Sequence, residues 1–188
     1  MRELKLQIQM TINGYVGGLN GENDWMTWNP DTEFIEFLSS LLDASDTLLL
    51  GRKTAESIIE YWEIEAEQNP AHPFAKQIAA LPKVVFTKTL HKSTWNNTTL
   101  AKGNLAEEIA RLKKQNGKDM LVFGGASFVS SLIKEDLIDE YHLIINPSAM
   151  GKGMTIFNSL DSIRRFTPIQ SKLYSGGKTV LSYKPSKK

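Results

Sequence analysis

Near the amino terminus Leu4, Leu6, Ile8 and Met10 alternate with Lys5, Gln7 and Gln9, the period-two pattern of a strand with one buried face. Asn13-Gly14 and Gly17-Gly18 interrupt it. From Thr32 to Ala44 the apolar residues Phe34, Ile35, Phe37, Leu38, Leu41 and Leu42 recur at helical spacing, with Glu33, Glu36, Ser40 and Asp43 on the polar face, and Asp31 or Thr32 is placed to cap the first turn. Thr47 to Leu50 is a short apolar run, suited to a strand covered on both faces. Helical spacing resumes from about Lys53 to Tyr61. The segment from Trp62 to Pro73 holds several acidic residues and two prolines, which predicts an irregular surface excursion before a short helix through Ile78. Val84 to Thr87 and Thr98 to Ala101 predict further strands, and Asn104 caps a helix through Gln115. Met120 to Phe123 is a strand stopped by Gly124-Gly125. Ser127 to Ile133 reads as helix, Ile138 to Ile145 as a long strand, and Arg164 to Tyr183 as two strands around the turn Ser175-Gly176-Gly177.

Strands alternating with amphipathic helices imply crossover units and a mostly parallel sheet, to which the last hairpin adds antiparallel strands. The expected class is α/β with a mixed sheet, as a single domain over residues 1–184 followed by a loose basic tail at 185–188. A chain of 188 residues suits one domain. Its formal charge of +1, from 22 basic and 21 acidic residues, offers no broad footprint for nucleic acid. Cysteine is absent, which removes disulfides and thiolate chemistry and fits a reducing compartment. No apolar run approaches the roughly 18 residues that cross a bilayer, and the start lacks a signal-peptide pattern; a cytoplasmic protein without a membrane partner is expected. The histidines His72, His91 and His142 have no ligand spacing, so no metal is expected.

In such sheets ligands bind beyond the carboxyl ends of the strands, and two of those ends carry glycine: Gly51, and Gly124-Gly125. Each precedes a helix whose first N–H groups lack intrahelical partners and whose dipole favours an anion. A strand-to-helix turn with charges facing water is the plainer explanation of each. Arg52 and Lys53 add charge, Thr54 and Ser127 add hydroxyls, and a third strand end supplies Thr87 and Lys88; together they suit a dinucleotide, whose two linked phosphates are joined in NADPH by a third on the ribose. Neither turn completes G-x-G-x-x-G or the triphosphate loop G-x-x-x-x-G-K-[ST].

Leu50-Gly51-Arg52-Lys53-Thr54, Val85-Phe86-Thr87-Lys88-Thr89-Leu90 and Phe123-Gly124-Gly125-Ala126-Ser127 resemble, in this order, the cofactor motifs of the dihydrofolate reductase-like family. The segments Gln9 to Gly18 and Asn146 to Gly153 are similar to the branch containing the reductase domain of riboflavin biosynthesis (RibD C-terminal), and most of all to its small stand-alone bacterial members of the YyaP/YwjB type. The resemblance implies a three-layer α/β/α fold and NADPH as cofactor. It implies that Gly51, Arg52, Lys53 and Thr54 embrace the pyrophosphate from one side and Gly124, Gly125, Ala126 and Ser127 from the other. Thr87 and Lys88, with Arg52 or Lys53, would face the adenosine ribose and its phosphate, and the nicotinamide would lie near Gln9, Val16 and Gly17. The chain departs from the family at Asn13, where an aspartate is common, and on its first helix, where no carboxylate inherits the pterin-facing role.

The activity this implies is an NADPH-dependent reductase delivering hydride to a C=N or C=O bond of a small heterocycle, pterin- or pyrimidine-like; the alternative is a non-catalytic dinucleotide-binding module. Asp31 leads the candidates for proton donor, with N-capping as its competing role, followed by Asp24 and Tyr15. Trp25 and Trp28 are candidates for stacking on a flat substrate, with core packing as the alternative. The edges of the late hairpin suggest a homodimer.

Overall fold

The computed structural model describes residues 1–186. In chain order the elements are β1 (Leu4–Thr11), α1 (Thr32–Asp43), β2 (Ser45–Gly51), α2 (Arg52–Gln68), α3 (Ala75–Ala80), β3 (Lys83–Phe86), β4 (Thr98–Ala101), α4 (Leu105–Lys113), β5 (Asp119–Gly124), α5 (Ala126–Lys134), β6 (Glu140–Asn146), β7 (Phe166–Leu173) and β8 (Thr179–Pro185). The strands form one eight-stranded sheet in the order β4-β3-β2-β5-β1-β6-β8-β7. Pairing is parallel from β4 across to β6 and antiparallel in β6–β8 and β7–β8, so the mixed α/β sheet with a late antiparallel hairpin is the observed class.

The period-two face of β1 explains the layers. Leu4, Leu6, Ile8 and Met10 pack with Ile109 and Leu112 of α4 and Val129, Leu132 and Ile133 of α5. On the opposite face Leu48, Leu50, Val85 and Leu121 meet Leu41 and Leu42 of α1, Ala55 and Ile59 of α2, and Phe74 and Ile78 around α3. Phe34 joins Ile144, Tyr174 and Val180 in a smaller patch on that face. Asp31 caps α1 by accepting from the Phe34 N–H at 2.7 Å, and Asn104 caps α4 by accepting from Glu107 N–H at 3.2 Å. The buried Arg2 guanidinium bonds Asp46 and the Thr47 hydroxyl, fastening the start of β1 to β2.

Two boundaries differ from expectation. The helix expected to stop near Tyr61 runs to Gln68, which reduces the irregular excursion to residues 69–74. Glu63, Glu65, Ala66 and Glu67 favour helix, and Trp62 packs against the second core cluster. Pro70 then disfavours helical geometry at Asn69, which sits at φ −126° and ψ 74°. The first half of the tail expected at 185–188 is held to the sheet, because Pro185 pairs with Phe166 in the β7–β8 ladder and Ser186 N–H donates to Arg165 O at 3.0 Å; Lys187 and Lys188 lie outside the described residues.

His142 on β6 carries a stability prediction. It is buried, with Nδ1 2.9 Å from Ser182 Oγ, Nε2 3.0 Å from Glu140 Oε1 and Phe37 edge-on to the ring. Burial pushes its pKa below the ordinary 6.5, against the opposing pull of Glu140. The unfolded chain therefore takes up the proton first as pH falls, and stability is lost from about 6.5 downward toward the depressed native value. Urea unfolding at about pH 5.5 and about pH 7.5 is expected to show a lower midpoint at the acid condition, and His142→Gln should shrink that difference whatever it does to absolute stability.

Candidate functional site

The two glycine turns lie side by side. Strands β2 and β5 are neighbours with Leu50 opposite Gly124, so α2 and α5 begin at adjacent strand ends although they cover opposite faces of the sheet. Their N-cap residues are Gly51 and Gly125, in extended geometry and with no side-chain cap, unlike α1 and α4. The first-turn N–H groups of both helices thus point beyond the strands without a capping acceptor. Glycine is sterically required: a Cβ on Gly51 would stand 2.8 Å from Phe128 Cβ and 3.6 Å from Gly125 N, and one on Gly125 would collide with Thr54 Oγ1. Gly124 has φ 141°, and the Gly124–Gly125 peptide is cis. The residues Gly51 to Thr54 and Gly124 to Ser127 are therefore brought to one corner. Arg52 holds both carboxylate oxygens of Glu56, at 2.8 and 2.9 Å, an exposed helix pair that contributes only about 0.3–0.5 kcal/mol. Lys53 is exposed and makes no ion pair among the described residues.

Strand β3 adds the third end. Gly51 pairs with Phe86, which places Thr87 and Lys88 next to the corner, and Phe86 stacks on Phe128 with centroids 4.8 Å apart. The Thr87 hydroxyl accepts from the N–H groups of Thr89 and Leu90, each at 3.1 Å. It builds the turn that displays the exposed Lys88.

At the end of β1 two loops are joined edge to edge. Ile12 N–H donates to Ser148 O, Val16 N–H to Met154 O, and Met154 N–H to Gly17 O. Asn13 secures the junction: its Nδ2 donates to Met150 O at 2.7 Å while its Oδ1 accepts from Met150 N–H at 3.3 Å and from the Thr11 hydroxyl at 2.8 Å. A carboxylate lacks the donor for Met150 O, so the departure from aspartate at this position has a structural use.

Beside these loops lies a polar cluster in which Gln9, a candidate from the sequence, meets Asn146 and Lys178, whose part sequence reasoning missed. Lys178, at 1% exposure, directs Nζ at Thr27 O, Asn146 Oδ1 and, at 3.4 Å, Gln9 Oε1. Asn146 is fully buried and donates Nδ2 to Gln9 Oε1 at 3.0 Å. Burial lowers the Lys178 pKa, and the lysine has no carboxylate partner among the described residues.

The other candidates part company. Asp31, besides capping α1, accepts at Oδ2 from the Ser175 hydroxyl at 2.6 Å and from Gly176 N–H at 3.2 Å. These bonds, the Ser175 hydroxyl foremost, hold its pKa below the carboxylate norm and tie α1 to the β7–β8 turn. Trp25 is buried at 9% exposure, with its indole N–H donating to Glu22 O at 3.1 Å, and packs rather than offering a stacking face. Asp24 is exposed and makes no hydrogen bond among the described residues. Tyr15 is half-buried, its ring against Gly153, where a Cβ would stand 3.0 Å from Tyr15 Cδ1. Trp28, 53% exposed, meets Phe74 edge-on and is the accessible indole of the pair. Half-buried Ile35 and Leu38 of α1, Ile58 and Trp62 of α2, and Phe123 of β5 line the same face of the sheet. An open hollow at the opposite strand ends, beside Ser45, Asp46, Gln77 and Lys118, adjoins the Arg2 tie and none of these groups.

Comparison with known proteins identifies the family and fold. Residues 2–180 match the family model described as RibD C-terminal domain, and the chain belongs to that family. It is 30% identical over 182 residues, 97% of this chain and 94% of the relative, to a Bacillus subtilis (strain 168) protein described as uncharacterized protein YyaP. Among solved structures it superposes at TM-score 0.77, with 25% identity and full coverage of both chains, on a protein of Shewanella sp. PV-4 provisionally described as a riboflavin biosynthesis protein. A Thermotoga maritima diaminohydroxyphosphoribosylaminopyrimidine deaminase/5-amino-6-(5-phosphoribosylamino)uracil reductase matches at TM-score 0.69 and 14% identity, over 98% of this chain and 57% of that one. Among the described residues no helix is long and apolar enough to cross a membrane.

The corner gives a prediction independent of any ligand. Gly125→Ala is expected to cost about 1–3 kcal/mol by overpacking against Thr54, Thr54→Ala in the same chain should recover most of that loss, and Gly151→Ala, with open space around it, should be neutral. Thermal or urea unfolding of the four variants closes the cycle; additive losses at 125 and 54 contradict the contact.

Proposed function

We propose that this protein is an NADPH-dependent reductase that delivers hydride to a C=N or C=O bond of a small, flat, pterin- or pyrimidine-like heterocycle. The observation that carries this reading is the corner where two uncapped helix starts, Gly51–Arg52 of α2 and Gly125–Ala126 of α5, come within contact distance. Two amide-lined helix ends facing one space suit two linked phosphates. Their glycines let the two helix starts approach this closely, because Phe128 and Thr54 occupy the places β-carbons would need. NADPH supplies the hydride when bound; the chain's residues hold it, with the pyrophosphate at the two helix starts, the ribose phosphate toward Arg52, Lys53 and Lys88, and the ring toward Gln9, Val16 and Gly17.

The substrate in this reading carries no phosphate of its own. The elements on the substrate side contain no lysine or arginine between Leu19 and Asp43, or between Thr54 and Ala75, whereas Glu22, Asp24, Glu33, Glu36, Glu60 and Glu65 lie there. Lys172 from β7 is already paired with Glu33 at 3.0 Å. A phosphoribosyl group of the kind for which the Thermotoga reductase is named would meet no free cation on these two segments, and exposed Lys152, on the loop joined to the end of β1, is the cation left to receive it. A flat neutral or cationic ring meets Trp28 and the apolar side chains of α1 and α2. Association of two chains along the exposed edge of β7, where Ile169 and Leu173 are 50% and 71% exposed, belongs to the same proposal; sedimentation would show a dimer.

Calorimetric titration tests the cofactor reading. Arg52→Ala with Lys53→Ala is expected to weaken NADPH about tenfold, or about 1.4 kcal/mol, and NADH much less. Equal losses contradict the ribose-phosphate role, and failure of the wild-type chain to bind either dinucleotide removes the proposal. Loss of NADPH absorbance with pterins and pyrimidines, each with and without a phosphoribosyl group, tests the substrate. Turnover of the unphosphorylated compounds is expected, preference for the phosphorylated ones overturns the charge argument, and binding without consumption identifies the non-catalytic module instead.

A further inference from the structure

The donor-only chemistry of one buried ammonium fixes two amides at the end of β1. A lysine ammonium has three N–H donors and no acceptor, so each group that Lys178 Nζ approaches must offer oxygen. Thr27 offers its carbonyl, and the Asn146 amide is turned with Oδ1 toward the ammonium, an orientation reinforced by Thr27 N–H donating to the same oxygen at 3.3 Å. Asn146 Nδ2 then faces the other way, where it donates to Ile144 O at 3.4 Å and to Gln9 at 3.0 Å. A donor requires an acceptor opposite, so Gln9 turns Oε1 inward, and Lys178 approaches that same oxygen at 3.4 Å. With its oxygen engaged by two donors, Gln9 has one polar group left. Nε2 points outward and has no partner among the described residues. Gln9 lies opposite Ile144 on the face of the sheet covered by α1, between the joined loops and half-buried Phe123.

We propose that Lys178 and Asn146 are positioning residues that set the Gln9 amide with its oxygen inward and its NH2 outward, making Gln9 the hydrogen-bond donor to the substrate group that accepts hydride. The proposal rests on the reductase reading. Bound NADPH would supply the hydride and leave as NADP⁺; the electron pair of the substrate C=O or C=N bond would move onto oxygen or nitrogen, which would take a proton from water. Gln9 keeps both of its protons and stabilises the charge on that atom through a bond aimed before the reaction begins.

The orientation is read on the free protein by NMR of side-chain amides, with Gln9→Ala assigning the Gln9 signals. The Asn146 Nδ2 protons are expected to exchange slowly with water and the Gln9 Nε2 protons quickly, and Lys178→Met should shift the Gln9 amide signals. Slow exchange at Gln9, or signals unmoved by Lys178→Met, overturns the proposal, and this arm stands even if NADPH fails to bind. In the loaded enzyme Gln9→Glu keeps the inward oxygen for Lys178 and Asn146 while replacing the outward donor by a carboxylate oxygen. With a ring compound that the wild type reduces, this variant is expected to lose about 10²-fold in kcat with a much smaller change in NADPH affinity. Unchanged kcat overturns the donor role, and a loss confined to NADPH affinity assigns the amide to the cofactor and overturns it as well.

Discussion

The constraint on which the site depends is the absence of a β-carbon at Gly51 and Gly125, where α2 and α5 meet. The helices arrive from opposite faces of the sheet, and the parallel pairing of β2 with β5 sets Leu50 beside Gly124. Thr54 and Phe128 fill the space that β-carbons on Gly125 and Gly51 would need. The same missing atoms leave both helix starts without a capping side chain, so one packing requirement produces both the contact and the unsatisfied amides. The corner is thus made almost entirely of backbone. The ring end, by contrast, is made of side-chain amides: Asn13 latches the loops, and Asn146 and Lys178 orient Gln9.

Much of this was legible because it is local. The alternation in β1, the apolar runs of β2 and β5, and the caps Asp31 and Asn104 each declare themselves within a few residues, and the glycine turns carry their meaning in their own strand ends. What stayed hidden depends on contacts between distant residues. Trp62 anchors the extra turns of α2 by touching a core that no window around it displays. Asp31 reads equally well as cap and as acid until Ser175 and Gly176 arrive from 144 and 145 positions away. Lys178 sits beside a hairpin turn, where a lysine ordinarily faces water, and its acceptor Gln9 is 169 positions distant. Trp25 and Trp28, three residues apart, have opposite fates because the Glu22 carbonyl draws one inward.

The charge pattern separates the two sides of the site more sharply than the near-neutral total suggests. Cations gather at the phosphate side as Arg52, Lys53 and Lys88, while the loop after β1, α1 and the later turns of α2 carry carboxylates and exposed aromatic surface. The two sets of elements therefore present fields of opposite sign to whatever approaches them.

Helix α2 is charged against its own macrodipole. Arg52 and Lys53 stand in its positive first turn and Glu63, Glu65 and Glu67 near its negative end, with no acidic residue in the first turn and no basic one in the last. Each such placement opposes the helix by about 0.3–1 kcal/mol at an exposed position. Packing of Ala55 and Ile59 holds the helix in place, and an anion at Gly51 would offset the penalty at that end. Ordering of that first turn and anion capture are consequently linked in free energy, each strengthening the other by the same factor.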